Sequence, residues 1–193
     1  MRRRFAPLLL LTLLLLLAGC ASRTIQSYTL APGSVPHPAS PYRQSDIRVE
    51  YPKGIEDTMS SHIYFTRSDL TQSHYLYSQW SQPLNRLVMA QIIATLQRSR
   101  LFRHVLDYAS EAGSDYLLET TIYRFRHRIT PEGSFADVSI GVRLLRTADR
   151  SLVKSRRFDY EIPCPSTDAR GFVQAANEAM QRLGRDLVQW LAR

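Results

Sequence analysis

Two cysteines and five histidines are the residues of this 193-residue chain best suited to hold a metal ion or attack a substrate. His37, His62, His74, His104 and His127 show no close ligand spacing, and with one uncommitted cysteine no zinc site is expected. Ser61-His62 and Ser73-His74 each set a hydroxyl beside an imidazole. Both pairs fall in stretches that read as strands, where successive side chains point to opposite faces. Neither pair can then act as nucleophile and base without a special turn. The chain carries no G-x-G-x-x-G, no P-loop lysine motif, no H-E-x-x-H and no G-x-S-x-G. The expectation is therefore no catalytic residue, no metal and no cofactor, and a protein that is not an enzyme.

A second chemistry is cationic. Arg124, Arg126 and Arg128 alternate with Phe125, His127 and Ile129, so on a strand the three guanidiniums share one face. In a hairpin of odd register their neighbours come from Phe135, Asp137, Ser139 and Arg143, and Arg126 or Arg128 can pair with Asp137. Lys154, Arg156 and Arg157 add charge on the next strand. Two readings stand: a solvated outer sheet face, or a docking face for an acidic protein or phosphate-bearing lipid. Arginine suits the second because its fork donates two hydrogen bonds to one phosphate.

The third chemistry belongs to Cys20. Arg2, Arg3 and Arg4 precede an almost unbroken apolar run, Phe5 to Ala18, which ends in Leu17-Ala18-Gly19-Cys20. Basic start, short apolar run and small-residue cut site form the layout of an export signal. As a helix the run would reach roughly 21 Å, against a bilayer core of about 30 Å, so a membrane span is the poorer reading. Leu-Ala-Gly-Cys resembles the lipobox of bacterial lipoproteins. The small residues let the backbone lie in a peptidase cleft, and the thiol accepts diacylglycerol. Cleavage then frees an amine for a further acyl chain, and two or more chains anchor firmly where one does not. An aspartate next to the cysteine usually retains such proteins at the inner membrane. Here Ala21 and Ser22 follow, so the expected place is the outer membrane, facing the periplasm of a double-membraned bacterium.

Cleavage before Cys20 leaves a chain long enough for one domain with a real core. The three leader arginines account for three of the +8 formal charges, leaving +5. Export removes the nucleic-acid partner that a basic cytosolic protein would suggest, leaving anionic headgroups, an acidic partner or a solvated face. With Cys20 acylated no internal disulfide is expected. Cys164, in the rigid Pro163-Cys164-Pro165, is expected to be buried and inert.

The elements that must position these residues follow from periodicity. Tyr28-Thr29-Leu30 reads as a first strand, and the proline-rich 31–42 as a loop or extended crossing. Strands follow at 46–51, 62–66, 74–77 and 104–108. Pro83 suits a first helical turn, and Leu84, Leu87, Val88, Ile92 and Leu96 form the stripe of a helix ending near Ser99. Two long strands, 115–129 and 134–146, make a hairpin across Pro131-Glu132-Gly133. A change of apolar phase predicts a bulge near Ile122. Another strand spans 151–162, and a helix capped by Asp168 runs to Ala192. Gly184 on its apolar face suits a close helix–sheet contact. The expectation is one α+β domain, a mostly antiparallel sheet with two amphipathic helices on one face. Its parts are a leader at 1–19, a segment of lipidated cysteine, tether, first strand and crossing at 20–45, and the remainder at 46–193, with the fold beginning near residue 27.

Several of these pieces, in order, carry a resemblance. A lipobox cysteine precedes Tyr28-Thr29-Leu30, and a proline-rich gap precedes Ile47 and Val49. Ile63-Tyr64-Phe65 and Tyr75 then lead to Trp80-Ser81-Gln82-Pro83-Leu84. In the last stretch an indole seats the helix start, proline sets its first turn and leucine opens the stripe, so Trp80, Pro83 and Leu84 are expected to act as a structural anchor. Together these features resemble the ABC-type transport auxiliary lipoprotein family, the PqiC-like proteins. One stretch departs from it: residues 54–62 are longer and more polar than the proline and leucine-aspartate-arginine step common in members. The resemblance implies an adaptor, not the ATPase, that accompanies ABC transporters carrying MCE-domain subunits and moving lipids or other hydrophobic molecules across the envelope. It implies an MCE-domain partner, and a ring-shaped partner would favour a homo-oligomer. A lipoprotein adaptor of another envelope machine (cell-wall synthesis, secretion or outer-membrane assembly) is the alternative, since fold alone does not decide function. A periplasmic hydrolase is the third reading, which the missing motifs disfavour.

Overall fold

The computed structural model describes residues 24–54, 56–68 and 71–193. The leader and Cys20, to which the expected cleavage and lipidation belong, lie outside these residues. The strands are β1 (Gln26–Tyr28), β2 (Asp46–Val49), β3 (Lys53–Gly54), β4 (His62–Ser68), β5 (Thr71–Trp80), β6 (His104–Asp107), β7 (Tyr116–Thr130), β8 (Gly133–Arg146) and β9 (Leu152–Pro163). The helices are α1 (Leu84–Ser99) and α2 (Ala169–Ala192), and a short 3-10 turn spans Glu56–Met59.

β7 is the spine of one mixed sheet. Along one edge it pairs antiparallel with β8 from Tyr116↔Arg146 to Thr130↔Gly133, and β8 pairs antiparallel with β9. Along its other edge three short strands follow one another, all parallel to it: β2 at Tyr116–Leu118, β3 at Thr121–Ile122 and β4 at His127–Arg128. β6 extends the sheet beyond β2, while β5 and then β1 extend it beyond β4. The long ladders are antiparallel, as the hairpin chemistry predicts. The parallel ladders are short and join residues distant in sequence. Asp46 fastens β2 to the chain entering β6, accepting from Arg103 at 2.7 Å and meeting His104 at 2.9 Å. Arg103, with help from His104, holds its carboxyl down at about 2.

The alternation in β8 sends Ala136, Val138, Ile140, Val142 and Leu144 to the inner face, where all are buried. α2 meets them with Phe172, Ala176, Ala179, Leu183, Leu187 and Leu191. Each large apolar side chain so buried contributes about 1.5–3 kcal/mol. Asp168 caps α2, its carboxylate accepting from Gly171 N at 2.7 Å. Pro83 stands one residue outside α1, and its carbonyl accepts from Arg86 N and Leu87 N. Arg100, left-handed at φ 55°, ends the helix. The β7–β8 loop is Pro131-Glu132, with Gly133 at φ +152° starting β8. The β7 bulge falls at Tyr123, between the pairs Ile122↔Ile140 and Arg124↔Ser139.

Three features differ from expectation. β1 is Gln26–Tyr28, not Tyr28–Leu30, and β5 runs on to Trp80. Gly184 faces Thr95 of α1 and Val35, so its bareness serves a helix–helix contact, not helix on sheet. The proline-rich segment is the crossing that the sequence led one to expect, a strap along the seam of the two helices. Gln91 donates to Leu30 O at 2.8 Å, Asn177 Oδ1 accepts from Ala31 N at 2.6 Å, Arg98 donates to Gly33 O at 3.2 Å, and Ser40 donates to Leu101 O at 2.8 Å. Prolines suit such a strap because the missing N–H needs no partner.

Candidate docking face

The face of β7–β9 turned away from the helices carries the three arginines. Their cross-strand neighbours are Ser139 for Arg124, Asp137 for Arg126 and Phe135 for Arg128, the odd register the sequence allowed. Arg124 Nε donates to both carboxylate oxygens of Asp137, at 2.9 and 3.0 Å, and its Nη2 reaches Asp159 at 3.3 Å. Arg126 shares Asp137 at 3.3 Å, while Arg128 pairs with Glu161. Arg157 and Ser139 both donate to Asp159, at 3.2 and 2.6 Å, and Arg143 pairs with Glu119 at 2.8 Å. Asp159 titrates below the usual carboxylate range because Ser139 and then Arg157 favour its charged form. The Asp137 contact, foremost, raises Arg124.

The face is therefore a lattice of five guanidiniums and four carboxylates, not a bare basic strip. The half-exposed pairs to Asp159, Glu161 and Glu119 are worth about 0.2–1 kcal/mol each, whereas Asp137 is largely buried and depends on its two arginines. Beside them Tyr123, put on this face by the bulge, lies against Gly141, where an added Cβ would fall 2.8 Å from the ring. Arg157 stacks over the same ring at 4.5 Å. Thr121, Arg143, Ser155 and Arg157 border a shallow cleft next to it. An exposed tyrosine flanked by arginines gives a protein partner apolar area and fixed donors together. Lys154 and Arg156 do not share this face. Lys154 donates to Trp190 O and Leu191 O at the end of α2, and Arg156 stacks over Phe158.

Trp80 ends β5 and is 1% exposed, its ring edge-on to Phe125 and Phe172 at 5.9 and 6.1 Å. Leu84 is buried, and Pro83 lies between the two. Cys164 is half-buried, and burial pushes its thiol up to about 11. The histidines do not gather, with one exception. His62 and His74 come together across β4 and β5, ring centroids 4.4 Å apart, beside Tyr64. Sequence reading missed this because the two strands were not yet paired. Ser73 pairs with Phe65 and so lies on the face opposite His74. Among the described residues no three His, Cys, Asp or Glu side chains gather as a metal site. The span 54–62 runs from Gly54, the last residue of β3, through the 3-10 turn Glu56–Met59 to His62, the first of β4.

The family model described as ABC-type transport auxiliary lipoprotein component matches residues 28–188, from β1 into α2. The chain belongs to this family. A Xanthomonas campestris protein of family DUF330 shares the fold at TM-score 0.79 and 23% identity, over 86% of this chain and 95% of that one. An uncharacterized protein follows at TM-score 0.68 and 17% identity, covering 87% and 99%. A hypothetical protein from Chlamydia trachomatis aligns at TM-score 0.50 and 11% identity, covering 77% and 96%. No curated protein matches the chain. At these identities the solved structures speak for the fold of this family member, whose role as an auxiliary component comes from the family itself.

Proposed function

We propose that this chain is the acyl-anchored, non-enzymatic adaptor of an MCE-type ABC transport system. It would sit at the outer membrane by lipid on Cys20, face the periplasm, and dock on the MCE-domain subunit that carries lipids or other hydrophobic molecules. The family match over 28–188 carries this reading. Two features of the chain support it. The leader ends in Leu17-Ala18-Gly19-Cys20, and the outer face of β7–β9 presents fixed arginines and an exposed tyrosine in place of a reactive cluster.

The test is capture from the native envelope. The full-length protein, tagged after Arg193, is purified from gently solubilised membranes under conditions that keep a known lipid-transport complex intact. Mass spectrometry should find an MCE-domain protein together with an ATPase and a permease. Recovery of a cell-wall, secretion or outer-membrane assembly machine in their place would assign the adaptor there.

A further inference from the structure

Among the exposed large apolar side chains, Leu76 is 72% exposed, Ile25 53% and Tyr77 46%. All three lie at one place. β1 pairs parallel with β5 starting at Gln26↔Ser78, so Ile25 falls beside Tyr77. Between the pairs His62↔Gln79 and Tyr64↔His74, β4 advances two residues while β5 advances five. This irregularity holds Leu76 and Tyr77, and bulges at sheet edges are a common way to re-aim side chains. The chain leaves the fold at the same point, since residues 21–24 alone separate Ile25 from Cys20. Five Cα steps span at most about 18 Å, so an acyl group on Cys20 keeps this edge close to the bilayer surface.

We propose that the β1–β5 edge rests on the lipid surface, with Leu76, Ile25 and Tyr77 dipping into the headgroup–acyl boundary. This rests on acylation of Cys20, part of the function proposed above. Clustered exposed apolar side chains mark contact surfaces, tyrosine suits a boundary where one end of the ring is apolar and the other wet, and a short tether raises the local concentration of the lipid surface. The arrangement also orients the domain. From β1 the strand order runs β5, β4, β7, β8, β9, and five inter-strand steps place β9 about 24 Å from β1. With β1 against the bilayer, the arginine lattice of β7–β9 stands clear of it, open to a protein. Leu152 on β9 is 57% exposed at the far edge and serves as a matched control.

The experiment uses the full-length protein, processed in cells and reconstituted in vesicles of phosphatidylethanolamine and phosphatidylglycerol. In a Cys164→Ser background, with Cys20 occupied by lipid, Leu76→Cys or Leu152→Cys receives a spin label. Mass spectrometry confirms the acyl groups, and a thermal melt like that of the unlabelled protein confirms the fold. The label at 76 should collide several-fold less with a water-soluble nickel chelate, and more with oxygen dissolved in the bilayer, than the label at 152. Equal accessibility at both sites in acylated protein overturns the membrane contact and leaves the anchor standing. Protein without acyl mass at Cys20 overturns the anchor and the contact with it. Protection at 76 in native envelopes but not in protein-free vesicles gives the patch to a protein and also overturns the proposal.

Discussion

The phenol oxygen of Tyr75 lies 2.8 Å from Nδ1 of His127, and the other ring nitrogen of His127 is buried with no hydrogen-bond partner. The imidazole stacks on Phe172 at 5.5 Å. Burial penalises its charged form and holds its pKa at about 4, with the Asp168 charge pulling weakly upward. Burial likewise pushes the Tyr75 phenol up to about 12. An unfolded chain protonates this histidine near pH 6.5. Between about 6.5 and 4 the unfolded state binds a proton that the native state refuses, so stability falls as pH falls through that window. Below about pH 4 His127 adds no further loss. The gap corresponds to about 3 kcal/mol. His127→Phe keeps the ring stack and removes both the proton and the orphaned nitrogen. Urea unfolding at pH 7 and pH 4 should show a smaller acid loss in the variant, by about 3 kcal/mol. Equal acid losses would mean that His127 is protonated in the native protein.

Trp80 closes the corner where β5 hands over to α1, wedged against Phe125 of β7 and Phe172 of α2. Trp80→Ala should destabilise the domain by about 3–5 kcal/mol, as other large-to-small core changes do. Trp80→Phe keeps most of the volume and should lose far less. A melt of Trp80→Ala within a degree of wild type would refute the ring's role as an anchor of the fold.

Legibility in the sequence tracked how local each constraint was. β8 and α2 were readable because strict two-residue and helical periodicities ran unbroken through Ala136–Leu144 and Phe172–Leu191. The β7 bulge showed as a phase change between Ile122 and Tyr123. β3, two residues long, carried no pattern, since its partners Thr121 and Ile122 lie far along the chain. The strap announced itself only as prolines, because Gln91 and Asn177 pin its backbone, not its side chains. The candidate face was half visible. The shared side of Arg124, Arg126 and Arg128 follows from parity, and Asp137 from the hairpin register. Asp159 and Glu161, which neutralise much of the strip, come from β9, and their positions depend on a second register.

The anchor is tested at the thiol. Cys20→Ala removes the lone acyl acceptor of the leader, so the variant should persist as an uncut precursor without acyl mass. Cleavage before residue 20 with membrane anchoring intact would refute the reading. Ala21→Asp leaves acylation in place but sets a carboxylate next to the lipid. In an organism that sorts by this residue, density-gradient fractionation should find the protein moved from the outer to the inner membrane. The same distribution before and after the change would remove the sorting argument.

The docking face is tested by subtracting its cations. Arg124, Arg126 and Arg128 changed together to glutamine leave Arg143 and Arg157 against Glu119, Asp137, Asp159 and Glu161, so the lattice turns from one net positive charge to two net negative. Glutamine is a better probe than glutamate here, because glutamate would press like charge against Asp137, whose side chain is only 12% exposed, and unfolding would mimic lost binding. Glutamine keeps an amide donor beside Asp137, which loses both of its cations in a largely buried site, and a thermal melt matching wild type is required before capture is compared. If an acidic MCE-type surface meets this face, complementary charge speeds its capture. The triple variant should then recover less partner, with the largest deficit at low salt, where screening is weakest. The control removes the same charge elsewhere, with Arg86, Arg170 and Arg185, all exposed on the helices, changed to glutamine. A deficit confined to the β7 triple assigns docking to the sheet. Equal deficits reduce the effect to net charge, and full capture by both variants moves the search to the helices and to residues 54–62.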